Sequence, residues 1–193
     1  MKHALSEKAT LHVATRKEWR AWLKKHYRSR PEVWLVYFKK HSGKPRIAYD
    51  DAVEEALCFG WIDSTVRSLD QDRFAQRFLP RNPKSKYSQA NKERLRSLAT
   101  QGSLMPEVLA SVKEIIAEST EFQVPADILA AIKASPHAWK HFPAFSPAYV
   151  RIRISFIDAA RKRPQEFEKR LRYFIFMTER GKQYGFGGIE KHY

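Results

Sequence analysis

The sequence predicts an α+β fold: a small, mainly antiparallel sheet of about three strands with helices, followed by a helical C-terminal region. Three observations predict it. The stretch "EVWLVYFKK" (32–40) is apolar on both alternation faces, Val33, Leu35 and Tyr37 on one and Trp34, Val36 and Phe38 on the other, as in an interior strand covered on both sides. Ile62–Leu69 and Arg73–Leu79 are strand-like runs joined by a polar turn at Asp70-Gln71-Asp72, which predicts an antiparallel hairpin. From Ser88 onward the apolar residues recur at helical spacing.

Residues 1–14 carry no clear period and read as a flexible lead-in. Thr15 and Glu18 form a capping box, in which each side chain satisfies an amide at the start of a helix. Trp19, Trp22 and Leu23 share one face of that helix, which should end before Pro31. Asp51 and Glu54 suggest a second capping box, with Val53, Ala56 and Leu57 as the buried stripe. In "EALCFGWIDSTV" Gly60 stands where this helix must turn into a strand, a place for a left-handed residue. Trp61 then packs beside the helix, and Ile62 starts the inner face of the strand.

A helix from Ser88 stops at Gly102, and another runs from Leu104 to Glu118 with Leu109, Val112, Ile115 and Ile116 on one side. Pro125 and Pro147 sit in first turns, the latter capped by Ser146. "RIRISF" (151–156) alternates like a strand, but its Pro-led start and the following "IDAARK" favour helix. The last helix, about 164–180, carries Phe167, Leu171, Phe174 and Ile175 and stops at Gly181. Five segments are therefore expected: lead-in 1–14, α+β domain 15–102, connecting helix 103–123, helical region 124–182 and flexible tail 183–193.

Thirty-six Lys and Arg against 21 Asp and Glu give a formal charge of +15. The excess is uneven: residues 67–100 hold nine cations against three carboxylates, whereas 51–66 hold four carboxylates and no Lys or Arg. Such a field attracts polyanions, among them nucleic acid and phosphorylated ligands. A single cysteine, Cys58, excludes an intramolecular disulfide and favours a reducing compartment. No signal-peptide pattern and no membrane-spanning apolar run is seen, so a cytoplasmic location is expected.

Few residues offer chemistry. Cys58, on the last turn of a helix with no neighbouring base, reads as a small buried hydrophobe. Strand alternation puts Asp63 on a face with Arg67. If the apolar faces of the two strands coincide, Asp63, Arg67, Arg73 and Arg77 line one polar sheet face. That face is either solvated or an anion site in which Asp63 orients an arginine or serves as a base. The loop "PRNPKSKYSQAN" adds Arg81, Lys84, Lys86, Ser85 and Ser88 ahead of a helix N-terminus, a set able to cradle phosphate without the glycines of a nucleotide-wrapping loop. Glu54 and Glu55 read as solvated helix charges. His137 and His141 stand four apart, but no third ligand is placed and no zinc-hydrolase glutamate follows, so no metal and no cofactor is expected. Tyr184 and Phe186 in the basic tail could stack on bases.

Several stretches carry a resemblance to a known family: "EWRAWLKKH", "VWLVYFKK", "ALCFGWIDS", "RFLPRNPKSKYSQANKERL" and "VPADILAAIKASPHAWKHFPAFSP". Over most of Thr15 to Lys182 the chain resembles the bacterial YdeI/OmpD-associated proteins, also labelled bacteriocin-protection proteins. It departs from their pattern at Tyr87, where Trp is usual, and at Glu166-Phe167, where Thr-Arg is usual. The resemblance implies a stress- or bacteriocin-protection-type role, with residues 124–182 as the family's C-terminal region. Three functions stay open. One is a non-enzymatic protein binding an anionic partner, nucleic acid or a phosphorylated ligand. A second is an enzyme on a small phosphorylated or carboxylated substrate with Asp63 as base. The third is a protein–protein adaptor using the run Phe174-Ile175-Phe176.

Overall fold

The computed structural model describes residues 10–118, 121–185 and 189–192. The chain divides into two compact units. The first comprises the described residues up to Lys86 together with Leu95–Ile116. The second comprises Tyr87–Arg94 with the described residues from Ala117 onward.

In the first unit a four-stranded sheet has the order β1-β2-β4-β3, with β1 Thr10–His12, β2 Val33–Phe38, β3 Trp61–Ser68 and β4 Arg73–Pro80. Four strands stand where about three were expected. The extra one lies in the stretch read as lead-in, where three residues are too short to show a period. β1 runs parallel to β2 and the other pairings are antiparallel. β2 is interior and buried along nearly its whole length, so the doubly apolar pattern is explained. The hairpin β3–β4 forms where predicted.

Helices α1 (Arg16–His26) and α2 (Tyr49–Cys58) cover one sheet face. The Trp19 ring meets Phe78 of β4 edge-on at 5.4 Å, and its Nε1 donates to the Ala52 carbonyl at 3.0 Å. Thr15 and Glu18 make the reciprocal capping box. The second box does not form: α2 begins two residues before Asp51, at Tyr49, with Ala48 at the N-cap and no side-chain cap. Glu54 is instead taken by Arg16. Gly60 adopts φ +72°, as a left-handed corner requires, and Trp61 is 1% exposed with Nε1 donating to the Tyr27 carbonyl.

α3 (Gln89–Thr100) ends before Gly102, whose φ is +64°. α4 (Pro106–Ala117) buries Val108 and Val112; Leu109, expected on the buried side, is 44% exposed. The helix is turned so that Val108, which touches Gly60, faces the core.

The second unit is helical: α5 (Ala126–Lys133), α6 (Pro136–His141), α7 (Pro147–Asp158) and α8 (Pro164–Thr178). Ser146 caps α7 as read, and "RIRISF" is helical. The six-residue α6, capped by Ser135, is too short for its period to stand out in sequence. Ile128, Ile132, Ala138, Tyr149, Ile154, Ile157 and Phe174 form its core. Within the segment expected to be a flexible tail, Tyr184 packs against that core and Ile189 is buried, while Phe186 lies outside the described residues.

Candidate anion-binding face

Residues paired directly across an antiparallel ladder point to the same side of the sheet. The register pairs Trp34 with Arg77, Val36 with Ala75 and Phe38 with Arg73, and pairs Arg67 with Ala75. Arg67, Arg73 and Arg77 therefore share the face opposite α1 and α2. Beneath them Trp34, Val36 and Ala75 form a small buried cluster.

Each arginine is held in place. The Arg67 guanidinium lies 5.1 Å from the Trp34 ring centroid. Arg77 Nε donates to Glu32 at 2.9 Å, and the other oxygen of Glu32 accepts from Trp34 Nε1 at 3.1 Å. Arg73 Nε donates to Asp70 at 2.8 Å. That contact, with the backbone amides of Asp72 and Arg73, lowers the Asp70 pKa. The side chains of Arg73 and Arg77 remain 48% and 34% exposed, so the face stays open to a ligand.

Asp63 does not join them. Between Asp63 and Val66, β3 has one residue more than β4 has between Phe78 and Gln76, a β-bulge. The extra residue reverses the alternation, so Asp63 shares the helix-covered face with Phe78. Simple alternation could not reveal this. The Asp63 carboxylate accepts from the Tyr49 hydroxyl at 2.6 Å and the Gln76 amide at 3.5 Å. Close by, the buried Tyr37 hydroxyl has no hydrogen-bond partner among the described residues. Burial raises its pKa, helped by Tyr49 and Asp63 and opposed by Arg46.

The basic loop is partly self-engaged. Arg81 bonds to the Ser85 carbonyl and, at 3.2 Å, to the Asn82 carbonyl, while the Lys84 amide donates to Asn82 Oδ1 at 2.9 Å. Lys84, Ser85 and Lys86 are exposed. Ser88 belongs to the second unit, where its hydroxyl accepts from the Asn91 amide at 3.3 Å as a helix cap.

Packing and pairing account for Cys58, Glu54 and Glu55. Cys58 is fully buried, and burial pushes its thiol up to about 11. Glu54 and Glu55, read as solvated, are 4% and 2% exposed. Arg16 reaches both at 2.5 Å, and Arg20 donates to Glu55 at 2.6 Å and to the Ser103 carbonyl at 3.0 Å. The signal lay in α1, whose Arg16 and Arg20 fall one turn apart opposite an acidic helix. His137 is exposed and His141 packs on Gly181. Among the described residues no group of three His, Cys, Asp or Glu could hold a metal, and no helix is long and apolar enough to cross a membrane.

Residues 11–111, more than half of the chain, match the family described as a domain of unknown function (DUF8412), and the chain belongs to it. Residues 121–181 match the family described as Bacteriocin-protection, YdeI or OmpD-Associated, in line with the resemblance of the sequence. No curated protein and no solved structure matches the chain.

Proposed function

We propose that the first unit is a non-enzymatic module that binds a phosphate-bearing polyanion through Arg67, Arg73 and Arg77, in a protein of bacteriocin-protection type. The carrying observation is the strand register that aligns the three guanidiniums on one face. Guanidinium forks match phosphate oxygens, and these three are already oriented by Trp34, Glu32 and Asp70. The partnering carboxylates are partly exposed, and such pairs contribute only about 0–1 kcal/mol, so a phosphate can replace them at little cost. Lys84 and Ser85 in the loop after β4 supply a further cation and hydroxyl. Asp63 has no part in this reading, because its carboxylate is turned to Tyr49.

The test is calorimetry with inorganic polyphosphate, a polyanion without bases. Wild type should bind at low salt, and Arg73→Glu with Arg77→Glu should weaken binding by about tenfold or more. Absence of wild-type binding, or an unchanged affinity in the folded double variant, would refute the proposal.

A further inference from the structure

The geometry points to a second surface, independent of the sheet: the outward stripe of α8 as a binding site for single-stranded nucleic acid. One side of α8 presents Phe167, Leu171, Phe174 and Ile175 to the core of the second unit. The opposite side carries Lys169, Arg172, Tyr173 and Phe176, all exposed, at offsets of three, four and seven residues that keep them in line on a helix, and the exposed Arg180 follows in the turn after its end. From Lys169 to Phe176 the stripe runs about 10 Å at 1.5 Å per residue.

Its chemistry is specific. Tyr173 and Phe176 are 47% and 46% exposed, and their rings lie nearly parallel, at 19° and 6.4 Å between centroids. Tyr184 meets Tyr173 edge-on at 4.9 Å and props it from the side. Arg180 rests over Phe176 at 3.5 Å and donates to the Phe176 carbonyl at 2.7 Å, so the guanidinium covers one face of that ring. Three carboxylates lie near the stripe, and of these Glu168 is exposed beside Lys169. Glu166 takes Arg170 at 2.7 Å, and Glu179 accepts from the Ser135 hydroxyl at 2.9 Å, with Arg180 at 3.6 Å from its other oxygen.

The exposed parts of the Tyr173 and Phe176 rings, with Lys169, Arg172 and the Arg180 guanidinium stacked on Phe176, offer surface for bases and cations for the phosphates between them. An acidic peptide would use the cations but leave the rings wet. A duplex keeps its bases stacked inside and cannot offer them. The occupant that uses both features is a single strand.

The test measures anisotropy of a labelled oligo-dT of about 12 nucleotides, within the range such surfaces cover. An abasic oligonucleotide of equal length and a duplex are measured beside it. Oligo-dT should bind about tenfold or more tighter than the abasic strand, since each stacked base contributes substantially. Tyr173→Ala with Phe176→Ala should remove that preference, Tyr173→Trp with Phe176→Trp should keep it, and Arg73→Glu with Arg77→Glu should leave it in place. Equal binding of the abasic strand and oligo-dT by the Arg73→Glu, Arg77→Glu variant, in which the sheet face no longer contributes, overturns the inference. So does an Ala double variant within about twofold of wild type, or a wild type that binds no oligo-dT at low salt. Loss of polyphosphate binding alone bears on the sheet face and not on α8.

Discussion

Burial keeps the Cys58 thiol protonated. It lies at the end of α2, without the free amides of a helix N-terminus, and desolvation raises its pKa to about 11 despite the nearby Arg20 and Arg16. Native protein at about pH 8 should therefore react with a thiol reagent at least about tenfold more slowly than protein in urea. A raised folded-state value also sets the sign of its pH linkage. The contribution is complete below the unfolded value, near 8.5–9, and is lost as pH rises towards about 11. Wild type should thus lose stability relative to Cys58→Ala over that alkaline window, read from urea midpoints. Fast labelling of the folded protein would contradict the buried assignment. Two positions on, Gly60 shows the same local determinism. At φ +72° a side chain is strained whatever the space, and Val108 already stands 3.4 Å from where a Cβ would lie.

Pairs of elements are joined by charges that sequence alone cannot assign. α1 and α2 are held by apolar burial around Trp19 and by the cluster of Arg16 and Arg20 with Glu54 and Glu55. Glu55 is the hub, since both arginines donate to it and it is almost wholly buried. Breaking a fully buried pair costs about 3–5 kcal/mol, but both guanidiniums keep more than a third of their exposure, so solvent recovers part of the loss. Glu55→Ala is expected to destabilise the protein by about 2 kcal/mol in urea unfolding. A change under about 0.5 kcal/mol would show that the pairs are surface-like. The hairpin shows a second failure of local reading. One extra residue in β3 puts Asp63 and Arg67 on opposite faces, although they stand an even number of residues apart. Turn residues mark where a hairpin folds, but nothing in the composition of "DSTV" marks a bulge.

At the scale of the whole chain, a formal +15 makes any polyanion interaction sensitive to ionic strength. Each cation that neutralises a phosphate releases condensed counterion, about 0.7 per contact on a single strand and 0.9 on a duplex. Removing two phosphate contacts by Arg73→Ala with Arg77→Ala should reduce the slope of log affinity against log salt by roughly 1.5. An unchanged slope would place the phosphate contacts on other cations. Net charge favours contact with polyanions without choosing a surface; the proposed surfaces rest on strand register in the first unit and on helical phase in the second.

By itself the sequence determined the α+β class, the central strand, the hairpin, the Gly60 corner and the buried side of α8. Each of these follows from neighbours a few residues apart, through periodicity, caps and glycine conformation. Tertiary structure alone decided the fourth strand, the burial of Glu54 and Glu55, the separation of Asp63 from the arginines and the exposure of Leu109. Those depend on which distant segment supplies a strand edge, a counter-charge or a covering side chain, and local spacing alone does not fix which segment that is.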